Sequence, residues 1–229
     1  MPDMRLLLRM AVIAATSLST RVFYDRVSPF YELVFTDHLL HARTMAATIS
    51  EVFPRSAGIK ILDVACGTGV LSRRLKEQGF SMTGLDFSLQ SLQRLKQTAS
   101  AILIIQADAA TLPFGSASFD VVTCLGAWRH FSDPLRVLHE ICRVLRPDGV
   151  FLVGYFPPKL GGLFSMPTSW LGKAIVILYG CAIRLLKYND RIDEEMEQGT
   201  LRMVKLAFAR VRRIESGMNH YFVLAASPH

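Results

Sequence analysis

The chain has 229 residues, enough for one domain with a large core and an appended subdomain. Apolar residues make up 51% and the mean hydropathy is +0.30, high for a soluble enzyme, which calls for a membrane-facing surface or a greasy substrate. The charge of +7 suits nucleic acid or anionic lipid without selecting either, and the four cysteines show no C-x-x-C pair or metal-ligand spacing, so no structural metal and a reducing, cytosolic setting are expected.

The N-terminus has two readings. Arg5 and Arg9 ahead of Met10-Ala11-Val12-Ile13-Ala14-Ala15 resemble a weak signal peptide. Leu6, Leu7, Met10, Ile13, Ala14 and Leu18 equally suit one face of an amphipathic helix, with Arg5, Arg9 and Arg21 meeting anionic headgroups. Residues 1–55 read as a helical cap or lid interrupted at Ser28-Pro29. Its aromatics, Tyr24, Phe30, Tyr31 and Phe35, serve either as core or as a wall for substrate.

From Ile59 strands and helices alternate, the pattern of a parallel sheet wound on both faces. Strand 59–64 leads through Cys66-Gly67-Thr68-Gly69 into a helix over about 69–78. Strand 81–86 leads to a helix capped by Ser88, with Leu89, Leu92 and Leu95 at spacings of three. Strand 101–106 ends at Ala107-Asp108-Ala109. After Leu112-Pro113-Phe114 comes strand 119–125, then a helix opened by Asp133-Pro134 whose stripe of Leu135, Leu138, Ile141, Cys142 and Leu145 faces the sheet. Pro147-Asp148-Gly149 turns the chain into strand 150–156. The core is thus assigned to 56–156.

Residues 157–199 break the alternation as an apolar helical insertion. Its uncharged helical run, Ala174 to Ile183, is ten residues, too short to cross a bilayer, with Arg184, Lys187 and Arg191 beside it. A buried cap helix and an interfacial or substrate-facing helix are both open. Beyond Asp193-Glu194-Glu195, residues 200–229 give a short helix from Thr200 and two strands, 208–214 and 220–225, paired as an antiparallel hairpin at the sheet edge. The expected fold is α/β: a Rossmann-like, doubly wound, mostly parallel seven-stranded sheet with an antiparallel C-terminal edge and a helical cap.

The chemistry collects at strand ends. Asp63, Asp86 and Asp108 stand at or just beyond the carboxyl ends of three successive strands, where an open parallel sheet binds ligands. Asp86 follows Gly69 by 17 residues, a place where an acid accepts both hydroxyls of a ribose. A nicotinamide dinucleotide would require G-x-G-x-x-G, but Ser72 occupies the third position and Asp63 would repel a pyrophosphate. A ligand carrying sulfonium and ammonium charges fits better, which favours S-adenosylmethionine.

Asp63-Val64-Ala65-Cys66-Gly67-Thr68-Gly69, Leu85-Asp86, Ala107-Asp108-Ala109 with Leu112-Pro113-Phe114, Phe119-Asp120-Val121-Val122 and Arg143-Val144-Leu145-Arg146-Pro147-Asp148-Gly149 resemble, in order, the motifs of class I S-adenosylmethionine-dependent methyltransferases of the type 11 domain. The resemblance covers about 59–156. It implies that Gly67, Thr68 and Gly69 wrap the methionine portion, that Asp86 binds the ribose and that Asp108 and Ala109 meet the adenine. Cys124 and Leu125 are placed beside the cofactor, and Asp63, Ala65 and Phe87 complete the set.

Tyr24-Asp25-Arg26-Val27-Ser28-Pro29-Phe30-Tyr31-Glu32-Leu33 and Arg129-His130-Phe131-Ser132-Asp133 are similar to the ubiquinone/menaquinone C-methyltransferase group, although His130 stands where that group has asparagine. The tyrosine-rich entry equally resembles bacterial phospholipid N-methyltransferases. The expected activity is methyl transfer to a small lipophilic acceptor, by C- or O-methylation of a quinol precursor or by N-methylation of a phospholipid headgroup. A non-catalytic cofactor-binding partner subunit is the alternative of another kind. His130 is the candidate base, or else a packing residue beside Trp128, and Arg129 holds an anionic substrate group or pairs with a carboxylate. Tyr24, Tyr31 and Trp128 are the candidate substrate residues. Nucleic acid is disfavoured, because no basic and aromatic module is appended and Leu125-Gly126-Ala127-Trp128 follows the fourth strand. The expected location is cytoplasmic, with peripheral contact at the inner membrane face left open.

Overall fold

A computed structural model describes residues 9, 12, 13, 16, 17, 19–34, 37–155, 190–215 and 221–228. Helix α1 (Thr20–Val27) starts at Ser19, whose hydroxyl accepts from the Val22 N–H at 3.3 Å. The turn Ser28–Phe30 follows, with Pro29 in its first positions, then α2 (Tyr31–Val34) and α3 (Asp37–Val52). The expected break at Ser28-Pro29 is therefore present as a tightened turn between helices.

The sheet contains β1 (Lys60–Val64), β2 (Ser81–Asp86), β3 (Leu103–Gln106), β4 (Phe119–Leu125), β5 (Leu145–Tyr155), β6 (Phe208–Glu215) and β7 (Tyr221–Pro228), in the spatial order 3-2-1-4-5-7-6. Strands β1 to β5 pair in parallel. Strand β7 runs antiparallel to both β5 and β6, so the closing hairpin lies at the sheet edge as expected. Between the parallel strands lie α4 (Val70–Glu77), α5 (Leu89–Thr98) and α6 (Pro134–Val144), and α7 (Asp190–Ala207) precedes β6.

The alternation of side chains along a strand explains why both faces are covered. Ile61, Val121 and Leu152 enter one apolar cluster with Met45 and Ile49 of α3 and Leu71 and Leu75 of α4. Their neighbours Leu62, Val122, Phe151 and Val153 enter the other, with Leu138 and Ile141 of α6 and Val204 of α7. Each fully buried large side chain contributes about 1.5–3 kcal/mol.

Four expectations need correction. Strand β3 starts at Leu103 rather than at residue 101. Pro147-Asp148-Gly149 does not precede the fifth strand but lies within β5. Leu145 to Val150 of β5, six residues, stand against Phe119 to Val121 of β4, three residues, and the excess is absorbed as an irregularity in the ladder. The helix expected from Thr200 begins at Asp190 and takes in the acidic patch. On α6 the buried residues are Val137, Leu138, Ile141 and Val144, while Leu135 is 62% exposed and so lies off the sheet-facing stripe. Leu89, in the first turn of α5, is likewise exposed while Leu92 and Leu95 are buried. Residues 157–189 of the expected apolar insertion, and most of the expected amphipathic N-terminal segment 1–18, lie outside the described residues.

Candidate functional site

The glycine-rich turn after β1 bends because three successive alternate residues take left-handed backbone angles. Ala65 has φ 56°, Gly67 φ 55° and Gly69 φ 82°. Such an angle is uncommon for alanine, and strain of this kind collects at ligand sites. Gly69 is also needed for space: a Cβ there would lie 2.2 Å from Leu95 Cδ1 of α5. Gly69 caps α4 with no side chain bonded to the helix N–H groups, so these remain directed at the turn.

Beyond the carboxyl ends of the strands lies a cavity of about 460 Å³. The turn contributes Ala65, Gly67 and Thr68 to its wall, β2 and its sequel contribute Asp86 and Phe87, and the segment after β3 contributes Asp108 and Ala109. Asp86 is only 5% exposed. Its Oδ2 accepts from the Gly67 N–H and its Oδ1 from the Ser88 N–H, both at 2.8 Å. Burial raises its pKa, opposed by those same backbone donors. The bonds fix the carboxylate and still leave lone pairs on each oxygen. Asp108 Oδ1 accepts from the Ala110 N–H at 2.9 Å, which turns the chain at the wall.

Asp63 has a different position. It is 1% exposed, and both of its oxygens are used: Ser72 Oγ donates to Oδ2 at 2.5 Å and Thr123 Oγ1 to Oδ1 at 2.7 Å. Burial lifts its pKa to about 6. Asp63 does not border the main cavity but a small adjoining one of about 30 Å³, with Tyr31, Ala65 and Gly67. Ser72, the residue standing in place of a third glycine, is thus the partner of this acid.

The cap contributes to one side of the cavity through α1 and α2, which bring Arg21, Tyr24 and Tyr31 to its wall. Three polar ties hold them there. Ser88 Oγ donates to Asp25 Oδ1 at 2.5 Å. Glu32 Oε1 accepts from Arg73 at 2.8 Å and from Thr68 Oγ1 at 3.1 Å. The Tyr24 hydroxyl lies 2.9 Å from His130 Nε2, with the two rings edge to face at 5.4 Å. Burial first, and the Arg129 charge second, lower the His130 pKa to about 4, so its imidazole is neutral at physiological pH.

Of the residues expected from sequence, the cavity thus brings together Ala65, Gly67, Thr68, Asp86, Phe87, Asp108, Ala109, Leu125, Tyr24, Tyr31 and His130. Cys124 does not border it: its side chain is fully buried among Val64, Val122 and Val153, and burial pushes the thiol far up. Trp128 is 1% exposed and packs against Phe131 at 5.5 Å and Phe151 at 5.7 Å, so it is core rather than substrate wall. Gly69 and Arg129 are also absent from the wall; the one acts through packing and backbone angle, the other through its charge near His130. Sequence reasoning missed Arg21 as a wall residue, and Glu32 and Arg73 as a clamp on the turn. No spacing marks those pairings, which join residues 41 positions apart.

The residues fit S-adenosylmethionine in kind. A buried acid with spare lone pairs suits a ribose diol, and open N–H groups at the start of α4 suit a carboxylate. The wall acids Asp86 and Asp108 suit a cationic ligand.

A model of the methyltransferase domain matches residues 62–153. A demethylmenaquinone methyltransferase of Staphylococcus epidermidis is 30% identical over 207 residues, covering 87% of this chain and 82% of that protein. Enzymes of the same name from Renibacterium salmoninarum and Deinococcus radiodurans are 33% and 41% identical, over 66% and 46% of this chain. Those two matches span 65% and 46% of the relatives' own lengths. Among solved structures, a methyltransferase dependent on S-adenosylmethionine from Aquifex aeolicus superposes with a TM-score of 0.56 at 17% identity, over 80% of this chain and 89% of that one, which is a likeness of fold.

Proposed function

The chain belongs to the S-adenosylmethionine-dependent methyltransferase family, and from that premise we propose that it transfers a methyl group to a small lipophilic acceptor of the quinol-precursor kind. The observation that carries this reading is one cavity whose wall combines the fixed Asp86 carboxylate with the aromatic residues Tyr24, Tyr31 and Phe131. The names of the relatives support a quinone-like acceptor.

When bound, the donor supplies a methyl group already activated by a sulfonium. The chain's part is to hold and exclude. Asp86 receives the ribose hydroxyls, Gly67 and Thr68 allow the backbone to approach the methionine portion, and Phe87, Asp108 and Ala109 bound the adenine. Leu125, at the carboxyl end of β4, packs beside the donor. Helices α1 and α2 cover the cavity and keep water from the reacting centre, where alignment supplies most of the acceleration. His130, neutral and on the wall, is the proton acceptor.

A second reading draws on the tyrosine pair. Tyr24 and Tyr31, with ring centroids 6.3 Å apart, offer two aromatic faces to an ammonium, as a phospholipid headgroup would need. Among the described residues no helix is long and apolar enough to cross a membrane. Contact with a membrane surface, through the basic, apolar stretch 157–191, belongs to the proposal.

The test is a transfer assay with methyl-labelled donor, offered naphthohydroquinones, phospholipid vesicles and RNA in parallel, with mass spectrometry of the products. Label in the hydroquinone is the expected result. Label in the lipid headgroup favours the second reading. Donor binding with no transfer to any acceptor makes the chain a binding partner rather than an enzyme.

A further inference from the structure

His130 is the only imidazole among the described residues on the cavity wall, and Tyr24 lines the same wall. The Tyr24 hydroxyl stands 2.9 Å from His130 Nε2. The tyrosine oxygen is thus placed to relay a proton between the cavity and Nε2. The two groups come from residues 106 positions apart, one on the cap and one just after β4. They meet only because α1 is docked, and α1 is held by Asp25 on Ser88, with Glu32 on Arg73 and Thr68 anchoring the next helix.

We propose that Tyr24 and His130 act as one proton-accepting unit, assembled by docking of α1, and that the acceptor therefore carries an ionisable hydroxyl on its reacting ring. This rests on the methyltransferase reading above and names the substrate chemistry of the same site.

The step balances as follows. The acceptor's O–H bond breaks and its proton goes to the Tyr24 oxygen, while Tyr24 passes its own proton to Nε2. The freed electron pair makes the ring oxygen, or the carbon beside it, the nucleophile. A bond forms to the methyl carbon, and the carbon–sulfur bond breaks with its electrons kept on sulfur. Where carbon is methylated, the displaced ring proton leaves to water and the dyad returns its proton to the ring oxygen. The transfer removes one positive charge from the donor sulfur. A proton arriving on His130 therefore leaves the net charge of the cavity unchanged, which offsets the cost of charging a buried imidazole.

Two measurements test this. The first needs no acceptor: imidazole nitrogen chemical shifts from isotope-labelled histidine, with His130 assigned among the six histidines by comparison with His130→Gln. A neutral ring with the proton on Nδ1 and an unprotonated Nε2 is expected, changing in Tyr24→Phe. An Nε2 that carries the proton overturns the proposal, because it could not accept one from Tyr24. The second compares Tyr24→Phe, His130→Gln and the double variant on naphthohydroquinones of graded acidity. Each single variant is expected to lose about 100-fold in kcat with unchanged affinity for S-adenosylhomocysteine. The double variant should be no slower than the singles. The loss should shrink for an acceptor already ionised at the assay pH. Losses that multiply, or that ignore acceptor acidity, overturn the dyad. Failure of the unmutated protein to methylate any hydroquinone would instead overturn the acceptor assignment, and the nitrogen shifts would still decide the dyad.

Discussion

Asp86 has two oxygens, each already accepting one backbone N–H, in a position that is 5% exposed. The remaining lone pairs are fixed in direction before any ligand arrives, so a diol pays little ordering entropy to meet them. Replacing Asp86 by alanine removes two charge-assisted hydrogen bonds to ligand, each worth about 1.5–3 kcal/mol. The Kd for S-adenosylhomocysteine should rise by about 100-fold or more. Calorimetric titration checks this, and an unchanged affinity would refute the assignment. Asp86 was legible because it ends a strand, and strand ends in a parallel sheet converge on the crevice. Its neighbours in role were less so. Cys124 and Leu125 both belong to the end of β4, but a strand sends successive residues to opposite faces. Cys124 points into the core with Val64 and Val122, and Leu125 packs on the other side and reaches the wall. Trp128 offers no such rule, since the turn that buries it has no period to read.

Among the elements, α1 and α2 act as a strap across the carboxyl end of the sheet. Their ties are to parts that also form the cavity: Asp25 to the residue capping α5, Glu32 to Thr68 of the turn and Arg73 of α4. The Arg73–Glu32 pair is partly solvated, with side-chain exposures of 22% and 39%, so it contributes under about 1 kcal/mol to folding. Its consequence should be kinetic. Asp25→Asn combined with Glu32→Gln should lower the melting temperature little while raising the dissociation rate of S-adenosylhomocysteine several-fold, read by stopped-flow fluorescence. An unchanged dissociation rate would mean that the strap does not retain the ligand. The helices themselves were legible from the apolar spacing and from Ser28-Pro29. Their partners were not, because a carboxylate on a cap helix carries no mark of which distant arginine or hydroxyl it will meet. The start of α7 was missed for a related reason: an acidic run reads as a solvated patch, yet it suits the first turns of a helix equally well.

Across the whole molecule, two buried groups set opposing trends with pH. His130 has a folded pKa of about 4 against an ordinary 6.5, so the unfolded chain binds more protons in that interval. Its contribution to stability is present above pH 6.5 and lost as pH falls toward 4. Asp63 has a folded pKa of about 6 against an ordinary 3.8, so here the folded chain binds more protons. Its contribution is greatest at low pH and is lost as pH rises through 6, and Asp86, also raised by burial, adds to that trend. Glu140, held below its ordinary 4.5 by its hydrogen bond with Arg143, contributes above pH 4.5 and loses that as pH falls from there. Between pH about 4 and 6 the slopes of His130 and the two acids therefore oppose each other, and the unmutated protein should show a shallow dependence. Single substitutions should expose each slope. Asp63→Asn, which keeps an acceptor for Thr123, should make stability climb more steeply with pH across the interval. His130→Gln should make it fall. Urea midpoints across the interval measure both, and slopes of the same sign in the two variants would show that these buried groups do not govern the acid stability of the fold.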